Sequence, residues 1–321
     1  MSANKRVLLI AGGGTLGTYT AKELLALGHS VDIICLEDKT SDNENLKYYK
    51  ANASINYLEN LFKTNKYDGI VNFIHYRTVE DYKPYHELLS KNTEHLIFLS
   101  SYRVYADLEH PVTENAPRLL DVTEDEEFLR NETYALPKAR CEDYIRNESG
   151  TKNWTIVRPV ISFSENRFDF FMHTGHSLIL LARENKPVYM PINSKNHFSS
   201  LDWAGNSGKL IAHLLFNEEA KGDTYTISTA QNLTWGEIAD IYTELLGIEV
   251  KWVDEEEYIK ANPALGSSAN GDVYWAYVYD RCFDRKIDNS KVLKATGLTS
   301  QDFVSIKDGI KIELENLRRK S

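Results

Sequence analysis

Tyr134-Ala135-Leu136-Pro137-Lys138 sets a tyrosine four residues before a lysine. The pair opens a helical pattern, Lys138-Ala139-Arg140-Cys141-Glu142-Asp143-Tyr144-Ile145, in which residues four apart share a face. A phenol ionises near pH ~10, so a tyrosine serving as base at neutral pH needs a shift of roughly 2 to 3 units, or ~3 to 4 kcal/mol. A nearby ammonium stabilises phenolate and supplies such a shift. With 19 tyrosines in the chain, about one such pair is expected by chance, so the setting has to decide. Upstream, the apolar run Leu96-Ile97-Phe98-Leu99 ends in Ser100-Ser101-Tyr102-Arg103-Val104-Tyr105. Downstream, Trp154-Thr155-Ile156-Val157-Arg158-Pro159 reads as the next buried strand. The ends of adjacent parallel strands are where α/β folds place their ligands.

A second constellation opens the chain. Gly12-Gly13-Gly14-Thr15-Leu16-Gly17 contains G-x-G-x-x-G, through Gly12, Gly14 and Gly17, between a strand and a helix. One glycine permits the tight turn, another lets backbone approach a pyrophosphate, and the third lets helix pack on strand. The helix N-terminus, at Thr15 and Leu16, then offers free N–H groups and a partial positive charge to the phosphates. The acidic residue expected for the adenosine ribose, ~20 residues on, falls at Cys35 or Leu36, with Glu37 and Asp38 just after. No arginine stands there to meet a 2′-phosphate, which favours NAD and leaves NADP open. Glu37 reads equally as a solvated strand-end carboxylate.

Other polar residues are less specific. His75 at a strand end fits a contact to cofactor or substrate, or a hydrogen-bonded structural role. His173 and His176 have i, i+3 spacing without a third ligand, so no metal is expected. Arg281 and Arg285 are able to fork onto a substrate phosphate, and Asp280 and Asp284 are equally ready partners for them.

These residues need elements to hold them. Arg6 to Ile10 is a continuous apolar run, the pattern of a strand buried on both faces. Val31 to Leu36, Gly69 to Ile74, His95 to Ser100 and Trp154 to Arg158 follow as strands. Helical patterns lie at Ala21 to Leu27, ended by Gly28, and at Tyr57 to Lys63 and Tyr82 to Lys91. Strict alternation predicts right-handed crossovers and a doubly wound, parallel, Rossmann-type α/β sheet. The expected division is a dinucleotide-binding domain over 1–160, with a return segment near 197–230, and a smaller C-terminal substrate-binding lobe over 161–321.

Composition narrows the class. A chain of 321 residues, 42% hydrophobic and 26% charged, excludes disordered, collagenous and disulfide-scaffold proteins. No apolar run reaches the ~18 to 20 residues of a membrane span. Met1-Ser2-Ala3-Asn4-Lys5-Arg6 has no signal-peptide pattern, and Cys35, Cys141 and Cys282 lie far apart, so a cytoplasmic location is expected. A net charge of −10 disfavours nucleic acid and favours a small-molecule substrate.

In combination these motifs resemble the extended short-chain dehydrogenase/reductases, the NAD-dependent epimerase/dehydratase family. The glycine loop, the F-L-S-S-x-x-V-Y segment, the Y-x-x-x-K helix and the I-V-R-P strand all fit. His197-Phe198-Ser199-Ser200-Leu201-Asp202, Tyr225-Thr226-Ile227 with Leu233-Thr234, and Ile287-Asp288-Asn289-Ser290-Lys291 resemble later family segments. The resemblance implies Ser101, Tyr134 and Lys138 as the catalytic set, with Ser101 hydrogen-bonding the substrate oxygen. It implies cofactor contacts at Gly12, Gly14, Thr15, Leu16, Gly17, Cys35, Glu37, Asn52, Phe73, His75, Tyr134, Lys138 and Pro159. Substrate contacts would fall on Tyr102, Arg103, Ile161, Arg281 and Arg285. A homodimer is compatible with it.

The chain also departs from the family. Ala11 takes the first loop-glycine slot, and Asn52 replaces an aspartate that meets the adenine. Phe73-Ile74-His75 replaces the small-residue turn under the nicotinamide, and Ile161 an asparagine that contacts substrate. The short stretch from Tyr76 to His95 resembles atypical members, some of which bind cofactor without catalysis. Tyr102 and Arg103 occupy the slots where dehydratase relatives carry Asp-Glu, and Arg103 also the slot of a glutamate in decarboxylating relatives and a cysteine in 3,5-epimerising ones. The expected activity is hydride transfer at a secondary alcohol or ketone, including nucleotide-linked sugars. A simple ketone or aldehyde reductase and a cofactor-binding regulator are the alternatives.

Overall fold

In the computed structural model, which describes residues 4–320, the apolar run Arg6–Ile10 forms strand β1, and its side chains divide between two cores. Of the opening segment Met1 to Arg6, residues 1–3 lie outside the described residues. Val7 and Leu9 join a core with Val31, Ile33, Ala21, Leu24, Leu210 and Ile211. Leu8 and Ile10 face the other way, toward Ile34, Leu58, Ile70, Tyr82, Leu89, Tyr144 and Ile145. A strand buried on both faces is what its unbroken hydrophobicity requires.

The remaining strands are β2 (Ser30–Cys35), β3 (Leu46–Lys50), β4 (Gly69–Asn72), β5 (His95–Leu99), β6 (Trp154–Pro159), β7 (Ile161–Phe163), β8 (Val188–Pro191), β9 (Leu201–Trp203), β10 (Asp223–Ile227) and β11 (Val250–Val253). Seven of them form one parallel sheet in the order β10-β6-β5-β4-β1-β2-β3. In β1, Val7 pairs with Val31 on one side and Gly69 on the other. The chain therefore winds outward in both directions from β1, and the crevice between β1 and β4 is the switch point of a Rossmann-type α/β fold.

Helices Thr15–Ala26 and Ala204–Leu214 pack on one face of the sheet, and Ile55–Thr64, Val79–Lys91 and Ala135–Asn147 on the other. The first helix ends where Gly28 turns left-handed at φ 86°. The sequence reading contained no strand at Leu46–Lys50. That strand sits at the sheet edge, with Lys47 and Lys50 exposed, so it lacks the apolar run of a central strand and carries edge-protecting charge instead.

β10, from the expected return segment, closes the other edge with Thr226 beside Arg158. Beyond β6 a separate aromatic core gathers Phe163, Phe168, Phe170, Phe171, Trp235, Tyr242 and Tyr258, flanked by the two-stranded pairs β7·β9 and β8·β11. No described helix is long and apolar enough to cross a membrane.

Ala11, directly after β1, is held at φ 56°. An L-residue with a Cβ is strained in this left-handed region by ~1 to 2 kcal/mol, whereas glycine is not. Ala11→Gly should therefore stabilise the protein by about 0.5 to 1 kcal/mol, after allowing for the greater freedom of glycine in the unfolded chain. Chemical denaturation of the two proteins measures this, and a destabilised variant would show that the backbone at residue 11 is not strained.

Candidate active site

The helix Ala135–Asn147 begins in an unusual way. Its N-cap, Tyr134, makes no side-chain capping bond. The Glu132 carboxylate accepts instead, from the backbone N–H of Ala135 and of Leu136, each at 2.8 Å. Pro137 falls in the first turn, where a missing N–H costs little. Tyr134 is thereby freed from capping, and its side chain lines a cleft with Ser101, Tyr102, Arg103, Thr15, Leu16, Pro159, Ile161, Arg167 and Arg281.

One turn along, Lys138 is buried and its ammonium donates to the Leu99 carbonyl at the end of β5, at 2.6 Å. The ammonium lies 5.4 Å from the centre of the Tyr134 ring, and the Arg103 guanidinium 4.7 Å from it. Burial pushes the Tyr134 phenol up, but Lys138, Arg103 and a hydrogen bond from Ser101 outweigh it and hold the phenol below the ordinary tyrosine range. For Lys138, burial prevails over the attraction of Tyr134 and holds the ammonium below its usual range. Ser101 Oγ accepts from the Arg103 N–H at 3.2 Å, capping the short turn Tyr102–Val104. Its one hydroxyl hydrogen is engaged by the Tyr134 oxygen.

A third turn anchors the helix. Glu142 is fully buried and receives Arg158 Nε at 2.8 Å and Nη2 at 2.6 Å. Burial raises the Glu142 carboxyl, but Arg158 and Arg146 overcome this and bring it down to about 2.

A second hollow lies across the glycine turn, lined by Ala11, Gly13, Gly14, Cys35, Leu36, Glu37, Asn52, Ile74 and Tyr85. The two hollows meet at the N-terminus of helix Thr15–Ala26, which no side chain caps. A Cβ on Gly17 would overlap the Gly12 backbone, whereas one on Gly14 would meet nothing within 4 Å. The first glycine pair permits close helix–strand packing, and Gly14 leaves space before free N–H groups. These residues would hold a dinucleotide at the helix end, with Gly14 and the free N–H groups beside it suited to a pyrophosphate.

Several expected contacts sit elsewhere. Phe73 packs against the core on one face of the sheet, and neither it nor His75 lines either hollow. His75 stacks on Tyr134 at 5.2 Å, and its Nε2 bonds the Thr133 carbonyl at 2.8 Å. Burial and Lys138 lower its pKa, so a neutral imidazole backs the phenol. Arg285, expected at the substrate, is buried and spent on Asp280 and the carbonyls of Tyr105 and Tyr279. His176 bonds the Glu165 carbonyl and His173 is partly buried in the same loop.

Arg167, by contrast, reaches the cleft without having been marked in the sequence. So did Asp280 and Glu132 escape notice as partners of Arg103, at 3.5 and 3.8 Å. Nothing in their local sequence signals these distant contacts.

Gly14→Val should fill the space before the helix N-terminus. The wild-type protein should gain thermal stability from millimolar NAD or NADP, and the variant should gain none. Absence of any shift in the wild type would remove the dinucleotide reading of this loop.

The fold is shared with many solved proteins. The chain superposes on UDP-glucose 4-epimerase from Thermotoga maritima, solved with UDP-glucose, with TM-score 0.69, 14% identity and coverage of 98% of this chain and 99% of that one. For WbmH of Bordetella bronchiseptica, solved with NAD+, the TM-score is 0.69 at 15% identity, covering 98% of each chain. For the human epimerase family protein SDR39U1 with NADPH it is 0.66 at 16% identity, covering 97% and 100%. A search of curated proteins finds no significant sequence match. The model of the NAD dependent epimerase/dehydratase family matches residues 8–198, more than half of the chain. The chain belongs to the NAD dependent epimerase/dehydratase family.

Proposed function

We infer that this protein interconverts a secondary alcohol and its ketone using NAD, with Tyr134 as the acid/base. The observation that carries this reading is the Tyr134 phenol, held below its ordinary range beside Ser101 and between two cations, Lys138 and Arg103, in a cleft that reaches the glycine-loop helix. Bound NAD would supply the hydride acceptor, and the NAD complex of a fold relative supports that assignment. Glu37 lines the adenosine-side hollow, where a carboxylate suits a ribose diol and repels a 2′-phosphate.

In the oxidising direction the Tyr134 phenolate removes the proton from the substrate hydroxyl, and in the reducing direction the phenol returns it. Ser101 donates to the same oxygen and holds it in line. Lys138 stabilises the phenolate electrostatically through the 5.4 Å approach to its ring, while the bond to Leu99 keeps the ammonium from leaving. His75 stacks on the ring and Arg103 lies 4.7 Å from its centre. The UDP-glucose complex of another relative makes nucleotide sugars a natural first panel.

Tyr134→Phe deletes only the ionisable oxygen. NAD affinity should survive while turnover falls by roughly 10²- to 10⁴-fold. In the wild type, alcohol oxidation should rise with pH as the phenol deprotonates, with its midpoint below the ~10 of free tyrosine. Removing a cation raises the phenol pKa, so Arg103→Gln should move that midpoint upward. Near wild-type turnover of Tyr134→Phe, or an unmoved midpoint in Arg103→Gln, contradicts the assignment.

The cleft also predicts what the enzyme does not do. Dehydration of a sugar needs an acid and a base beside the reacting carbon, the work of a carboxyl pair with tunable pKa. None of the residues lining the cleft is acidic, and the two relevant slots hold Tyr102, whose phenol is engaged by Asp280, and Arg103, whose guanidinium offers donors and no acceptor. Incubation with UDP-, GDP-, CDP- and dTDP-hexoses should give no 4-keto-6-deoxy product and no solvent deuterium at C5, read by mass spectrometry. Formation of that product at a catalytic rate would falsify this exclusion.

A further inference from the structure

We propose that the substrate carries an oxyanion, a carboxylate or a phosphate, on or directly beside the carbon that reacts at Tyr134. This rests on the reading of Tyr134 as the acid/base. The protein bears a net charge of −10, yet the charged residues in the wall of the cleft are Arg103, Arg167 and Arg281, with no aspartate or glutamate among its lining. Such a local reversal of sign concentrates anions and orients them.

The three guanidiniums are held from behind by carboxylates outside that lining. Asp280 is buried and engages Arg281, lies 3.5 Å from Arg103 Nε, and accepts from Arg285 at 2.8 Å and from the Tyr102 phenol. Asp169, also buried, sits 2.5 Å from Arg167. Arg281 Nε also donates to the Phe171 carbonyl at 2.8 Å, and all three side chains line the cleft, where a guanidinium suits bidentate recognition of carboxylate or phosphate. Arg103 Nε is buried and makes no hydrogen bond, so the side chain is held by charge and by the Tyr134 ring more than by directed bonds.

Geometry places the anion next to the chemistry. The Arg103 guanidinium lies 4.7 Å from the centre of the Tyr134 ring. A substrate oxygen bonded to the Tyr134 phenol therefore brings the substituents of its own carbon, or of the next one, within reach of Arg103. The diphosphate of a nucleotide sugar lies a whole sugar ring away from a reacting C4 and does not answer this placement. Matching ligands are hydroxy or keto acids, uronic acids and sugar phosphates phosphorylated beside the carbinol.

The test uses small probes on the full-length protein, with and without NAD: malonate, inorganic phosphate and uncharged malonamide, titrated calorimetrically. Wild type should bind malonate or phosphate and should not bind malonamide. Preference for malonate assigns a carboxylate, and preference for phosphate a phosphoryl group. Arg103→Gln and Arg167→Gln should each weaken the bound anion by about tenfold or more while leaving NAD affinity in place. Arg167 is half-exposed, so its variant keeps the test valid if Arg103→Gln fails to fold. The proposal is overturned if neither anion binds wild type, if malonamide binds equally well, or if the variants lose NAD affinity in place of anion affinity. Failure of NAD to bind while the anions still do would count against the proposed oxidoreduction and leave the anion site standing.

Discussion

The ion pair between Glu142 and Arg158 is the interaction on which the site depends. Both side chains are buried, one on the helix that begins at Tyr134 and one on β6. Two N–H···O contacts of 2.8 and 2.6 Å tie helix to sheet, and the Arg158 guanidinium also covers the Tyr105 ring at 4.7 Å. Arg146 at 3.1 Å and Arg118 at 3.5 Å also meet Glu142, whereas Arg158 would lose its carboxylate partner with Glu142, and a buried charge so stranded costs roughly 3 to 5 kcal/mol. The pair contributes little net stability for that reason, but it permits few registers of helix on strand. Lys138 stands one turn before Glu142 on the same helix, and its ammonium meets the Leu99 carbonyl at the end of β5.

From this anchor the rest of the cleft follows. Parallel strands bring their carboxyl ends to one edge, so β1, β5 and β6 deliver the glycine turn, Ser101 and Pro159 side by side. Glu132 caps the helix so that Tyr134 does not have to, and the phenol turns into the cleft. Ala11 at φ 56° and the close Gly12–Gly17 contact shape the glycine turn at the same edge. Low identity to the solved relatives leaves this layout, rather than any shared substrate, as the content of the structural likeness.

Legibility in the sequence tracked how local each signal was. The run from Arg6 to Ile10, the glycines after it and the four-residue spacing of Tyr134 and Lys138 are contiguous patterns, and sheet and cleft reproduce their placement. β3 was invisible because an edge strand with Lys47 and Lys50 carries half-solvated chemistry. The role of Glu142 was equally hidden: on a helix rich in charge it resembles any solvated residue, and its partner lies 16 positions away. Arg281 and Arg285 look alike in sequence and Asp280 engages both, but only Arg281 lines the cleft. Arg167 had no local marker. Side-chain direction across a tertiary contact is not written in spacing.

A crystal structure of the protein soaked with NAD tests the central claim most directly. The account predicts the pyrophosphate at the N–H groups beside Gly14, the adenosine over Glu37 and Asn52, and the nicotinamide ring in the cleft facing Tyr134 and Ser101. A dinucleotide bound with its nicotinamide ring away from Tyr134, or with its pyrophosphate anywhere other than the glycine turn, would contradict it.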